Sequence, residues 1–215
     1  FFVPKAGSTG TGLDALGIFG DSNTANDFER TGSTSVAWVL PALKANGTQP
    51  LTYIMGMSGQ NTSVLRLDSV SSPRSIATAM KLQPELRYIG IALGTNDANY
   101  DSMTAEYPQN LNEGVQQILA AGKVPILARL VETTSAGYGT PTNKRKILAT
   151  IDDTAARYRL IPGPDYYTVF RQKLSTYVSD GTHHTWEGGT AANQMWAETM
   201  MRAGIYRTTT STSTP

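Results

Sequence analysis

Ser22 is the first residue whose type and position favour chemistry. It follows the short apolar run Leu16–Phe19 in a Gly-Asp-Ser-Asn segment, which indicates a buried strand that ends in a tight turn. A serine at the carboxyl end of such a strand lies where open α/β sheets bind ligands, and its backbone N–H can point at an anion. Ser22 is therefore a candidate nucleophile and oxyanion donor, although Gly-Asp-Ser is also typical of a turn that caps a helix.

A serine nucleophile needs a base for its Oγ proton and a group that orients this base. The chain has two histidines, the neighbours His183 and His184, and Asp180 stands three residues before the first of them. In a loop, this spacing allows the Asp180 carboxylate to reach Nδ1 of His183 and leaves Nε2 to face a serine. His184 is then expected to point elsewhere. The alternatives are a solvated histidine pair and, more weakly, a metal site, for which no third ligand is obvious.

Strand and helix patterns alternate about five times along the chain. Strands are predicted at Leu16–Phe19, Leu51–Met55, Arg87–Leu93, Val124–Leu130 and Arg159–Ile161. Helices are predicted at Ser33–Asn46, Ser72–Leu82, Tyr107–Ala121, Pro141–Tyr158, Tyr166–Leu174 and Thr190–Ala203, with a loop from Asp180 to Gly189. This alternation predicts βαβ units, a parallel sheet and helices on both faces. The polar turns at 20–24, 56–61 and 94–97 should then meet at one edge of the sheet.

The composition is that of one globular domain. The chain has 215 residues, of which 40% are hydrophobic and 16% are charged, and its formal net charge is +1. This balance gives no field that favours nucleic acid or an anionic membrane, and no apolar run approaches the ~18 residues needed to span a bilayer. There are no cysteines, which excludes disulfides and thiolate chemistry.

Four short blocks occur in order at the predicted strand ends and in the loop before the last helix. They are Gly20-Asp21-Ser22, Gly59 within Gly56–Thr62, Gly94-Thr95-Asn96-Asp97, and Asp180-Gly181-Thr182-His183. This arrangement, over about residues 16–190, resembles the GDSL/SGNH hydrolase family and, within it, a carbohydrate acetyl esterase-like branch. The resemblance implies a flavodoxin-like three-layer α/β/α sandwich with a parallel five-stranded sheet. It also implies ester hydrolysis without a metal or cofactor.

The resemblance assigns roles residue by residue. It implies that Ser22 is the nucleophile, His183 the base and Asp180 the partner of the histidine. The backbone N–H groups of Ser22 and Gly59 and the side-chain amide of Asn96 would form the oxyanion hole. These assignments suit the chemistry, because glycine allows close approach of a backbone N–H and an asparagine amide is a neutral donor.

Some residues depart from the family pattern or have two interpretations. Asn23 stands where the family more often has Leu, and His184 stands where Pro is common, so the acyl or leaving-group pocket is expected to differ. Asn23 is accordingly a candidate substrate-binding residue. Asn61 is expected either to line the cleft or to cap the following helix, and Trp186 either to stack on a sugar or to pack within its loop. Asp21 and Asp97 are expected to shape a turn and to anchor a loop, and Trp38 and Trp196 to lie in the core.

The sequence therefore predicts a secreted serine esterase that removes short acyl groups, most of all acetyl, from a polysaccharide such as acetylated xylan. A lipase, arylesterase or thioesterase on the same fold is the nearest alternative, and a non-catalytic carbohydrate-binding module is a further one. The hydrolase domain is expected over residues 1–207. Residues 208–215 form a Ser/Thr/Pro tract, which is typical of extracellular linkers, so they are expected to be a frayed tail or a tether to another module. Neither a nucleic acid nor a membrane is expected as a partner.

Overall fold

The computed structural model describes residues 15–25, 52–69, 72, 74–130, 133 and 138–205. Within these residues five strands form one sheet in the order β2-β1-β3-β4-β5, and all neighbouring pairs are parallel. The strands are β1 (Ala15–Gly20), β2 (Thr52–Gly56), β3 (Leu86–Ala92), β4 (Val124–Arg129) and β5 (Ile161–Asp165). The predicted five-stranded parallel sheet is confirmed.

Helices cover both faces of this sheet. Those described are α1 (Ile76–Leu82), α2 (Asp101–Ala120), α3 (Pro141–Tyr158), α4 (Tyr166–Arg171), α5 (Leu174–Tyr177) and α6 (Trp186–Arg202), with 3₁₀ turns at Thr62–Leu65, Leu67–Ser69 and Asp97–Asn99. The core on one face contains Leu111 of α2 and Ile147 of α3, both fully buried. The core on the other face contains Trp196 and Met200 of α6. Two cores separated by one sheet make the predicted three-layer α/β/α sandwich, and Trp196 lies in the core as expected.

The strand register brings three loops together at one edge. Gly20, the last residue of β1, pairs with Gly56 of β2 on one side and with Ala92 of β3 on the other. The N–H of Met57 donates to the carbonyl of Gly20 at 3.2 Å, which continues the pairing just beyond β2. The loops that follow β1, β2 and β3 therefore begin side by side, as expected at the carboxyl edge of a parallel sheet.

The fifth strand begins at Ile161, where the sequence predicted its end. Arg159 closes α3 in the left-handed conformation, with φ of 52°, so the chain becomes extended only after this residue. The strand contains Pro162 and Pro164, which remove two N–H donors. β5 tolerates them because, among the described strands, it lies at the edge of the sheet and pairs with β4 alone.

The last helix begins at Trp186, four residues before the predicted start. Thr185 caps it, because its hydroxyl accepts a hydrogen bond from the N–H of Gly188 at 3.0 Å. Gly188 and Gly189 suggested a loop, but both are buried in the first turn of α6. A β-carbon at Gly188 would lie 2.1 Å from the carbonyl oxygen of Tyr177, so this glycine permits close packing against α5.

The observed bounds of other helices also differ from the predicted ones, and some predicted elements lie outside the described residues. The helix α2 begins at Asp101 instead of Tyr107, since its first turn is too polar to show a hydrophobic period. The predicted helix Tyr166–Leu174 ends three residues early, at Arg171 of α4, and the separate short helix α5 begins at Leu174. The predicted helix Ser33–Asn46, with Trp38, and the tract 208–215 are outside the described part. No helix among the described residues is long and apolar enough to cross a membrane.

Candidate active site

Ser22 follows the tight turn at the end of β1 and is the first residue of a short helical segment at residues 22–25. The carboxylate of Asp21 accepts a hydrogen bond from the N–H of Asn23 at 2.9 Å, and the carbonyl of Asp21 accepts from the N–H of Ala25 at 3.0 Å. These bonds confirm that Asp21 shapes the turn. Gly20 is required here, because a β-carbon on it would lie 1.9 Å from the hydroxyl of Thr24. The turn therefore presents Ser22 at the carboxyl end of β1, between the ends of β2 and β3.

The structure brings Ser22, His183 and Asp180 together in one chain of hydrogen bonds. Nε2 of His183 lies 3.0 Å from Oγ of Ser22, and Nδ1 lies 2.7 Å from Oδ2 of Asp180. The other carboxylate oxygen of Asp180 accepts from the backbone N–H groups of Thr182 and His183, at 3.0 and 2.8 Å. This is the arrangement of a nucleophile, a base and an orienting carboxylate.

The environment of Asp180 keeps its carboxylate ionised. The pKa of Asp180 is lowered to about 2, chiefly by the hydrogen bond from the His183 side chain and then by that from the His183 backbone. An ionised partner at Nδ1 favours the tautomer that carries its proton on Nδ1. Nε2 is then an acceptor for the hydroxyl proton of Ser22, as a general base must be.

The two other predicted oxyanion donors lie in the loops after β2 and β3, which flank the Ser22 turn. Gly59 has φ of +72°, which favours glycine, and a β-carbon on it would meet no heavy atom within 4 Å. Nδ2 of Asn96 donates to the carbonyl of Gln60 at 2.9 Å and so ties its loop to that of Gly59. Within the described residues, no protein acceptor is found for the N–H groups of Ser22 and Gly59. The role of these donors in an oxyanion hole stays a prediction.

Asp97 anchors its loop, as predicted, through a buried polar contact. It is 1% exposed, and its carboxylate accepts from the N–H of Thr62 at 3.0 Å and from the Thr62 hydroxyl. Nδ2 of Asn110, on α2, donates to the same hydroxyl at 3.3 Å. Burial raises the pKa of Asp97 to about 6, and the bonds from Thr62 offset part of this rise. Sequence reasoning did not find Thr62 or Asn110, whose partners are 35 and 48 positions away.

His184 packs against aromatic rings, and the interpretation of a solvated histidine pair is wrong. The side chain of His184 is buried, with its ring 4.8 Å from that of Phe170 between centroids. His183 instead meets the edge of Tyr138, whose ring centroid is 6.3 Å away. Tyr138 was not predicted as part of the site, since it stands in a segment without periodicity.

The three candidate substrate-binding residues occupy different positions. Asn61 caps the 3₁₀ turn at Thr62–Leu65, with Oδ1 accepting from the N–H of Ser63 at 3.0 Å, which confirms the capping alternative. Trp186 is 48% exposed at the first position of α6, so it lies at the start of a helix instead of in a loop. Asn23 is 3% exposed, and its amide faces the loop that carries His183. Substrate contact by these residues stays a prediction, and the buried position of Asn23 does not favour it.

Trp186 borders an open groove formed by α4, α5 and α6. The groove is lined by Val169, Lys173, Thr176, Tyr177, Trp186, Glu187, Thr190, Ala191, Gln194, Met195 and Glu198. Its apolar members and its rim of hydroxyl, amide and charged groups suit a ligand with both apolar and hydrogen-bonding faces.

Across the described ranges, no group of three or more His, Asp or Glu side chains is arranged to hold a metal ion.

Comparison with known proteins agrees with this fold. A profile of the GDSL-like lipase/acylhydrolase family matches residues 18–191, which include Ser22, Asn96, Asp180 and His183. A search of curated proteins returned no match.

The solved structures similar to this chain include a lipase/acylhydrolase from Enterococcus faecalis, with a TM-score of 0.75 and 19% identity over 93% of this chain and 100% of that one. They also include a GDSL-like lipase from Bacteroides thetaiotaomicron, with a TM-score of 0.65 and 18% identity over 89% of each chain. The acetylxylan esterase Axe2 from Geobacillus stearothermophilus has a TM-score of 0.64 and 19% identity over 89% of this chain and 94% of that one. At these identities the similarity establishes a shared fold.

Proposed function

Because the chain belongs to the GDSL-like lipase/acylhydrolase family, we propose that it is a serine esterase that removes short acyl groups, above all acetyl, from a polysaccharide such as acetylated xylan. The observation that carries the esterase proposal is the position of His183, whose two ring nitrogens lie 3.0 Å from Ser22 Oγ and 2.7 Å from Asp180 Oδ2. These distances suit proton transfer from the serine to the imidazole without any rearrangement of the loop.

The proposed reaction has two halves. Ser22 Oγ attacks the ester carbonyl carbon while its proton passes to Nε2 of His183, and Asp180 stabilises the imidazolium that forms. The tetrahedral intermediate collapses, the C–O bond to the sugar breaks, and the departing oxygen takes the proton from Nε2. A water then attacks the carbonyl of the acyl-enzyme and gives a proton to Nε2. The second tetrahedral intermediate collapses as the bond to Ser22 Oγ breaks, Oγ takes the proton from Nε2, and the free acid leaves.

The negative oxygen that develops in each half needs donors that are already in place. We assign this role to the backbone N–H groups of Ser22 and Gly59 and to the side-chain amide of Asn96. One N–H of Asn96 is bound to Gln60 O at 2.9 Å, which fixes the amide plane and leaves the second N–H for the oxyanion. A fixed donor of this kind acts without reorganisation during the reaction.

Two observations favour an acetylated polysaccharide as the substrate. Trp186 is 48% exposed three residues after His183, and an exposed indole face is suited to stacking on the apolar face of a sugar ring. In addition, the structural neighbour Axe2 is described as an acetylxylan esterase. The proposal includes secretion of the protein, since a polysaccharide substrate is extracellular. It also includes a tethering role for the Ser/Thr/Pro tract at 208–215, as its composition predicts.

The second candidate is hydrolysis of esters with longer acyl chains, which the description of two structural neighbours as lipases favours. A series of p-nitrophenyl esters from acetate to octanoate separates the two candidates. A maximum of kcat/KM at acetate, together with release of acetate from acetylated xylan, supports the first. A maximum at longer chains supports the second.

The esterase proposal itself is tested with Ser22→Ala. We expect the variant to lose nearly all p-nitrophenyl acetate hydrolysis, because no other nucleophile is assigned, with the residual rate reflecting binding and oxyanion stabilisation alone. Ser102→Ala is the matched control, since Ser102 is exposed on α2, and it should leave the rate unchanged. Full activity of the Ser22→Ala variant would overturn the proposed mechanism.

A further inference from the structure

Asn23, the residue after the nucleophile, contacts the backbone on both sides of His183. Its Oδ1 accepts a hydrogen bond from the N–H of His184 at 3.0 Å, and its Nδ2 donates to the carbonyl of Thr182 at 3.2 Å. The side chain is only 3% exposed. One buried amide group therefore accepts from the N–H of His184 and donates to the carbonyl of Thr182.

These contacts connect two parts of the chain that the covalent backbone does not hold together. The partners of Asn23 are 159 and 161 positions away in sequence. Asn23 is itself fixed, since its N–H donates to Oδ1 of Asp21 at 2.9 Å. The turn that carries Ser22 and the loop that carries His183 are thus joined next to the bond between their side chains.

We propose that Asn23 is a positioning residue that holds Nε2 of His183 at hydrogen-bond distance from Ser22 Oγ. The inference rests on the proposed serine-esterase function and adds a residue that acts through His183 instead of touching the substrate. Asp180 orients the imidazole ring through Nδ1 and holds the backbone N–H groups of Thr182 and His183 within their own loop, whereas Asn23 ties that loop to the Ser22 turn. The two contacts are complementary, because neither alone determines both the direction and the place of the ring.

The chemistry of the side chain explains why asparagine suits this position. A primary amide offers a donor and an acceptor at one end, which matches the N–H and C=O groups that flank a single residue. Leucine, of similar size, offers neither. Aspartate keeps an acceptor for the N–H of His184 but places a negative oxygen against the carbonyl of Thr182. Asn23→Leu therefore removes both contacts, and Asn23→Asp removes one.

The test compares wild type, Asn23→Leu, Asn23→Asp and the control Asn193→Leu, which replaces another buried asparagine on α6. Two readouts are used: kcat and KM for p-nitrophenyl acetate, and the hydrogen-exchange rate of the His184 amide. We expect Asn23→Leu to lower kcat by about 10²-fold, the scale of a small misplacement of a reacting group, with KM little changed. The His184 amide should exchange faster, and the control should change neither readout.

Asn23→Asp gives a second measurement if the leucine variant does not fold. It should fall between wild type and Asn23→Leu in kcat and should keep more protection at the His184 amide. A wild type that hydrolyses no ester would overturn the proposed function and, with it, this inference. An active wild type with an equally active Asn23→Leu variant would overturn the positioning role alone.

Discussion

Replacement of Asp97 by asparagine tests the buried contact that joins the loops carrying Gly59 and Asn96. The Asp97 side chain is 1% exposed, and its oxygens accept hydrogen bonds from the N–H and the hydroxyl of Thr62. Asparagine retains one oxygen as an acceptor for Thr62 and carries no charge. Asp97→Asn therefore removes the ionisation and keeps much of the contact.

The expected effect follows from the raised pKa of Asp97, about 6 against an ordinary 3.8. Because the folded protein holds this proton more firmly than the unfolded chain does, the wild type loses stability as the pH rises from about 4 to about 6. The difference between 6 and 3.8 is about two pKa units, and at roughly 1.4 kcal/mol each this gives about 3 kcal/mol. Above pH 6 the wild type has lost this contribution to its free energy of unfolding, whereas Asp97→Asn has no such pH dependence.

The assay is urea unfolding of wild type and Asp97→Asn at several pH values between 4 and 8. The free energy of unfolding of the variant, relative to wild type, should increase by up to about 3 kcal/mol between pH 4 and 7. Asp180, whose lowered pKa gives the opposite pH dependence, is present in both proteins, so its contribution cancels when the wild-type free energy is subtracted. Asp153→Asn, exposed on α3, is the charge-matched control and should give no such trend. A difference that does not vary with pH would refute the reasoning.

Three further substitutions test the assigned roles through steady-state kinetics. Asn96→Ala should lower kcat by roughly 10²–10³ with little change in KM, because one oxyanion donor is lost; an unchanged kcat would remove Asn96 from the oxyanion hole. Asp180→Asn should lower kcat, but by less than the roughly 10⁴-fold found for a buried triad aspartate, because the Asp180 side chain is 59% exposed. A variant with the full rate would show that His183 needs no carboxylate partner. Trp186→Ala should raise KM for acetylated xylan about two- to ten-fold and leave p-nitrophenyl acetate unaffected; an equal effect on both substrates would contradict sugar stacking.

The sheet and the positions of the site residues could be predicted because they depend on local signals. The apolar run of β3 and the polar turns after β1 and β2 are contiguous in sequence, and parallel pairing then determines which turns meet. The spacing between Asp180 and His183 is likewise local, and the structure contains the expected contact at 2.7 Å. Such features need only a window of a few residues.

The parts that could not be predicted depend on packing between distant segments. The sequence predicts too late a start for α6 because glycine normally disfavours a helix, whereas Gly188 is needed for close packing against Tyr177. The sequence predicts too early a start for β5 because no residue pattern indicates that Arg159 adopts the left-handed conformation. The partners of Asn23 and Asp97 have no sequence signal, since any polar residue is compatible with a turn.

The buried hydrogen bonds of Asn23 and Asp97 connect two different pairs of loops in the site. Asn23 joins the Ser22 turn to the His183 loop, so it supports proton transfer in the proposed reaction. Asp97 joins the Asn96 loop to the loop after β2, through Thr62, so it holds together the two loops that carry Gly59 and Asn96, the proposed oxyanion donors. In each case a buried side chain beside a proposed functional residue bonds to the backbone of another loop. A parallel sheet brings the loops to one edge, and these buried contacts then fix the distances that the chemistry requires.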